Sequence, residues 1–139
     1  MHAYSRKFRL PLIAAAAALA FALSGCAMKV PLSGTQEAPP VNTPAAGTTN
    51  IKVASDRSVS GTVTTTGVKG IAAHIHLGAA GRNGPVIIPL TRTSDNTWAV
   101  PAGARLTEDQ YAAYKAGQLY VNVHSAANKG GEVRGQLKP

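Results

Sequence analysis

The sequence predicts an all-β fold, an antiparallel Greek-key-like β-sandwich or barrel of seven or eight short strands with one short helix at about 107–116. Three observations carry this. Apolar and polar residues alternate over many short runs, the period of a half-buried strand. Clusters of Gly, Pro, Asn, Asp and Ser interrupt those runs about every ten residues, a spacing typical of sandwiches. Helix start and stop signals coincide in only one place.

The N-terminus reads as a targeting segment. Arg6, Lys7 and Arg9 precede an apolar run from Leu10 to Leu23, shorter than the ~20 residues a membrane span needs. The run ends in Leu23-Ser24-Gly25-Cys26, which resembles the lipobox of bacterial lipoproteins. That resemblance implies a signal peptide over 1–25, cleavage before Cys26, a diacylglyceryl thioether on its sulfur, and an acyl chain such as palmitate on the new N-terminus. A lipidated anchor segment, 26–29, then leads into one folded domain, 30–139. Cys26 is the only cysteine, so no disulfide can brace the core. Ala27 in place of Asp implies, in a Gram-negative cell, the outer membrane facing the periplasm. The expected address is the cell envelope, with the membrane as partner through the lipid on Cys26. Loss of three of the 14 basic residues and none of the six acidic ones lowers the formal charge from +8 to +5. The basic residues are scattered, without clusters or interleaved aromatics, which excludes nucleic acid as a partner.

Met28 to Leu32 is a short first strand, followed by a turn-rich connection from Ser33 to Gly47. Thr49, Ile51 and Val53 alternate, Asp56-Arg57-Ser58 turns, and Val59, Gly61, Val63 and Thr65 alternate again, predicting a two-stranded hairpin. Ile71 to Leu77 is the next strand, then the glycine-rich loop Gly78 to Pro85. Val86 to Leu90 is an apolar run in which Pro89 indicates an edge strand or a bulge. Thr97 to Val100 carries the only tryptophan, Trp98, assigned to the core. Thr107 with Gln110 fits a capping box, Glu108 and Asp109 an acidic first turn, and Gly117 a stop. Tyr111 and Tyr114 then face the sheet, making the helix a plug over one end. Leu119 to His124 is a strand, and in the last strand Val133 and Leu137 point inward while Glu132, Arg134 and Gln136 point outward.

Two of these strands carry the chemistry. In the first, Ile71, Ala73, Ile75 and Leu77 share one face while Ala72, His74 and His76 share the other. In the second, Leu119, Val121 and Val123 oppose Tyr120, Asn122 and His124. Side chains at i and i+2 start about 6.5 Å apart, so two imidazoles can converge on one ion. A third from a neighbouring strand completes a three-nitrogen site for copper or zinc. Copper is preferred on intrinsic affinity. The expected ligands are therefore His74, His76 and His124, meeting in a pocket on the sandwich exterior. Asn122 is the expected hydrogen-bond partner of a ring nitrogen, and Met28 a candidate soft fourth ligand. The bland alternative is a histidine pair that only braces the glycine-rich loop.

The segments Leu32-Ser33-Gly34-Thr35-Gln36-Glu37-Ala38-Pro39-Pro40-Val41, Ala72-Ala73-His74-Ile75-His76-Leu77-Gly78, Gly84-Pro85-Val86, Leu119-Tyr120-Val121-Asn122-Val123-His124-Ser125 and Gly130-Gly131-Glu132-Val133-Arg134-Gly135-Gln136-Leu137 resemble the chordin-type (CHRD) domain. The resemblance runs from about Val30 to Leu137. It implies a β-sandwich of secreted and extracellular proteins, without one agreed activity. His74-Ile75-His76 before a glycine-rich loop, with His124 late in the chain and Arg134 beyond it, is also distantly similar to the copper side of Cu/Zn superoxide dismutase. This implies a superoxide-dismutase-like fold, copper on His74, His76 and His124, and an anion-guiding role for Arg134. Only three histidines follow Cys26, so the zinc half of such a site has no ligands.

No nucleophile motif such as Gly-x-Ser-x-Gly is present. A carboxylate partner for a histidine would have to be Glu37, Asp95 or Glu132, and Glu132 with Arg134 reads as an exposed pair. Arg82-Asn83 reads as a solvated loop tip. The leading expectation is an envelope-anchored lipoprotein that binds one copper ion, in storage, delivery or protection, with a metal-delivery or envelope protein as partner. A metal-free structural or interaction module is the first alternative, and a copper-only dismutase-like enzyme the second.

Overall fold

The computed structural model of the protein describes residues 28–139; the expected signal peptide and the expected lipid attachment at Cys26 lie outside the described residues. Eleven strand segments and one α-helix follow in chain order: β1 (Val30–Ser33), β2 (Ala46–Thr49), β3 (Lys52–Val53), β4 (Val59–Ser60), β5 (Thr62–Thr66), β6 (Gly70–Leu77), β7 (Val86–Pro89), β8 (Thr91–Ser94), β9 (Thr97–Ala99), α1 (Glu108–Lys115), β10 (Leu119–Ser125) and β11 (Val133–Gln136). All pairings are antiparallel. Nine strands form one sheet in the order β7-β6-β10-β11-β1-β2-β5-β9-β8, and β3 and β4 pair separately. The two edge strands of the large sheet are consecutive in the chain, separated only by Leu90. The sheet therefore curls almost fully round into a sandwich close to a barrel, as the all-β expectation requires.

The strand count exceeds the expected seven or eight for two local reasons. The hairpin over 49–65 is broken in the middle: Gly61 adopts φ +125°, and Asn50 Oδ1 accepts the Thr62 N–H at 2.7 Å in place of a ladder partner. Its inner half thus stays in the large sheet as β2 and β5, and its outer half pairs alone as β3 and β4. The second reason is β8, whose four residues are all exposed and carry no apolar alternation to announce a strand.

The interior is filled by the aliphatic faces of the strands. Leu32, Val63, Ile75, Leu119, Val121, Val123, Val133 and Leu137 are essentially inaccessible, and Trp98 packs among them. Ile71 departs from the expected inward face and is 58 % exposed. The ladder explains it, because His124 pairs with Ala72 and Ser125 with Gly70. Ile71 is the extra residue of a β-bulge, unpaired and turned to solvent. A second bulge skips Ile87, since Ile75 pairs with Ile88 and His76 with Val86, and this brings β7 against the histidine strand.

The helix is built as its caps dictate. Thr107 and Gln110 form the reciprocal capping box, and Gly117 takes φ +72° at the stop. Such a cap contributes about 1 kcal/mol. Tyr114 is buried and donates its hydroxyl to the Lys138 carbonyl at 3.0 Å, while Tyr111 packs half-buried against the core. Through these two tyrosines the helix packs against the core.

Candidate metal centre

Three neighbouring strands, β6, β10 and β11, set the site through their register. Asn122 pairs with His74 on one side and Arg134 on the other, and Tyr120 pairs with His76 and Gln136. Alternation then puts His74, His76, Tyr120, Asn122, His124, Arg134 and Gln136 on the face opposite the aliphatic core. The structure brings the three histidines together, each offering one nitrogen, with all three atoms within 4.8 Å of one another. Bonds of about 2.0–2.1 Å to a tetrahedral ion would separate such atoms by roughly 3.4 Å, so modest side-chain rotation closes the set.

Hydrogen bonds fix which nitrogens face inward. His76 Nδ1 donates to the Gly84 carbonyl at 2.9 Å, and His124 Nδ1 donates to the Lys129 carbonyl at 2.7 Å. Each ring therefore presents a bare Nε2. His74 Nδ1 lies 3.0 Å from His124 Nε2, a contact that holds one proton when no ion is present. His76 Nε2 is buried without a partner, and so is Asn122 Oδ1. An unpaired buried acceptor is costly, and a bound cation would satisfy the Nε2 of His76. Backbone carbonyls anchoring the far side of His76 and His124 are the usual support of metal-bound histidines.

Electrostatics favour neutral rings. Burial pushes the pKa of His74 down, aided by His124 and His76. Burial also pushes His76 down, against a raising contribution from its bond to Gly84. Neutral imidazole is the form that ligates. Among the described residues the group contains no carboxylate or thiolate.

The face carrying the site is a covered layer for most of its area rather than an open exterior. His74 and His124 are half-buried and His76 is buried, as are Tyr120, Asn122 and Arg134. The covering element is the loop from Gly78 to Gly84. Gly84 sits so tightly against the Leu77 carbonyl that a side chain there has no room. Gly84 N–H donates to the Tyr120 hydroxyl at 3.2 Å, and Gln136 Nε2 donates to Gly78 O at 2.8 Å and to Gly117 O at 2.9 Å.

This layer corrects three expectations. Arg134 is 1 % exposed, and its guanidinium is committed to Arg82 O and Ala79 O, both at 2.9 Å, and to Gln136 Oε1 at 3.1 Å. It braces the loop and is not positioned as a surface guide for anions, nor paired with Glu132, whose Oε1 accepts from Thr43 at 2.8 Å. Asn122 Nδ2 goes to Glu37 Oε1 at 3.4 Å and to Gly130 O at 3.3 Å, and the side chain lies close enough to His76 to act on that ring, raising its pKa against the effect of burial. Met28 is 71 % exposed and lines a groove with Val30, Ile51 and Tyr114, at the end of β1 away from the histidine rows.

Two participants take roles that the sequence does not assign to them. Tyr120 stacks on His76 with centroids 4.7 Å apart and planes 6° from parallel; its alternation with Asn122 and His124 was the available signal. Glu37 is buried, and its carboxyl is pushed up to about 7 by desolvation, against the lowering effects of Asn122 and Arg134. The sequence offers it as one of three possible carboxylate partners for a histidine; in the structure it meets Asn122 instead.

The class these features define is an all-β sandwich with a polar buried layer and a three-histidine cluster at its margin. The CHRD domain profile matches residues 28–137, and the chain belongs to the CHRD-domain family. No curated protein and no solved structure matches it.

Proposed function

We propose that this protein is a cell-envelope lipoprotein, anchored through Cys26, whose domain binds one copper ion through His74, His76 and His124 for storage, delivery or protection. The single observation that supports it most is the buried, partnerless Nε2 of His76, aimed at the same place as one nitrogen from each of the other two histidines. An all-imidazole donor set suits copper and zinc, and intrinsic affinity favours copper. Two half-buried ligands leave one side of the ion reachable, which fits handing it to a partner protein better than locking it away.

The metal-free module remains the competing reading, because His76 Nδ1 and His124 Nδ1 already tie down loop carbonyls. The dismutase-like enzyme loses support, since Arg134 is buried and occupied. Titration of the domain from Val30 onward with copper, for wild type and His76→Ala, decides between the first two. The expected result is one ion per chain and an affinity loss of ~100-fold or more in the variant. Substoichiometric binding, or binding indifferent to His76, favours the module.

A further inference from the structure

We infer that Arg134 makes this centre selective for monovalent copper over divalent ions, acting across Tyr120 as a fixed positive charge beside His76. The inference rests on the metal-binding reading above and adds the charge state of the ion. Strand order carries it: β10 lies between β6 and β11, so Tyr120 sits between its direct neighbour His76 on β6 and Arg134 on β11, which is diagonal to it and pairs with Asn122. On one side its ring stacks on His76 at 4.7 Å. On the other the Arg134 guanidinium carbon lies 3.4 Å from the ring centroid. Arg134 is almost fully buried, so water screens its charge poorly, and arginine keeps its proton in proteins.

Nothing in the donor set offsets that charge. Three neutral imidazoles contribute none, and among the described residues no acid joins the ligand group. The acid in the buried layer is Glu37, which lies outside the ligand group and whose carboxyl burial pushes up to about 7, so it offsets the guanidinium fully only above that pH. Repulsion from a fixed cation grows in proportion to the charge of the bound ion. At roughly 10 Å and an effective dielectric of ~20, each extra unit of metal charge is disfavoured about tenfold. Zinc has no lower charge to adopt. Copper does, and imidazole ligates both of its states. The arrangement therefore favours uptake of copper supplied already reduced, and no electron transfer is required of the protein.

The test uses the full chain carrying Cys26→Ser, which removes the one thiol that would compete for Cu(I). Affinities for Cu(I), Cu(II) and Zn(II) are measured by chelator competition in wild type, Arg134→Gln and Arg134→Lys. Arg134→Gln is expected to lower the ratio of Cu(I) to Cu(II) affinity about tenfold, equivalent to a drop of about 59 mV in the one-electron potential. Arg134→Lys keeps the charge and is expected to hold the ratio within about threefold. Equal weakening of both states by both variants would mean that Arg134 only secures the loop, and the inference falls while metal binding stands. Wild type that takes up neither copper nor zinc overturns both. Should Arg134→Gln fail to fold, Glu37→Gln gives the converse measurement: removing the carboxylate that offsets the guanidinium is expected to raise the ratio severalfold above pH 8, and an unchanged ratio counts against the inference.

Discussion

Glu37 shows what a buried layer does to a single side chain. Its carboxyl titrates at about 7 rather than near 4.5 because desolvation outweighs Asn122 and Arg134. Between these values the folded state holds a proton that the unfolded chain has released, so stability falls as pH rises through that window and levels off above it. The loss is on the order of 2–3 kcal/mol. His74 and His76 act in the opposite sense: both are depressed, so their contribution is present above the unfolded histidine value and lost as pH falls. Comparing urea unfolding of wild type and Glu37→Gln from pH 4.5 to 8 separates the two. The variant is expected to lose the decline with rising pH and keep the gain. At this scale the histidine cluster was legible in the sequence, because His74, His76 and His124 alternate against aliphatic residues. The role of Arg134 was not, since alternation tells which face a residue occupies and not whether another element lies over that face.

The loop between β6 and β7 and the helix α1 make contrasting elements. The loop is held from below at Gly78, Ala79, Arg82 and Gly84 by Gln136, Arg134, Tyr120 and His76, and it fixes the tautomer of His76. Gly84→Ala forces a side chain against the Leu77 carbonyl; the expected outcome is a lowered melting temperature together with weakened copper binding, read by calorimetry and titration on the same sample. The helix stands apart from the histidines. Thr107→Ala removes the capping box and is expected to cost about 1 kcal/mol, a drop of roughly 4–8 °C in melting temperature, with copper affinity unchanged. The helix was readable because capping chemistry is local in sequence. The loop's coverage was not, for it depends on partners from β10 and β11, and the strand β8 was invisible because none of its four residues is buried.

For the whole molecule, the expected address is separable from the fold. If Cys26 carries the lipid, Cys26→Ser moves the protein from the membrane fraction to the soluble one and abolishes palmitate labelling, while the β-rich circular dichroism of the domain stays the same. Retention in the membrane fraction would mean another mode of attachment. The near-closure of the sheet has its own consequence if the protein is crowded on a surface through a lipid on Cys26. The two terminal strands are four residues each and are halves of one short run, one bearing Pro89 and the other Arg92. Such ends make poor templates for a second copy. Dense packing on a bilayer should leave neighbours as independent molecules, without fibrils or strand exchange, however many are made.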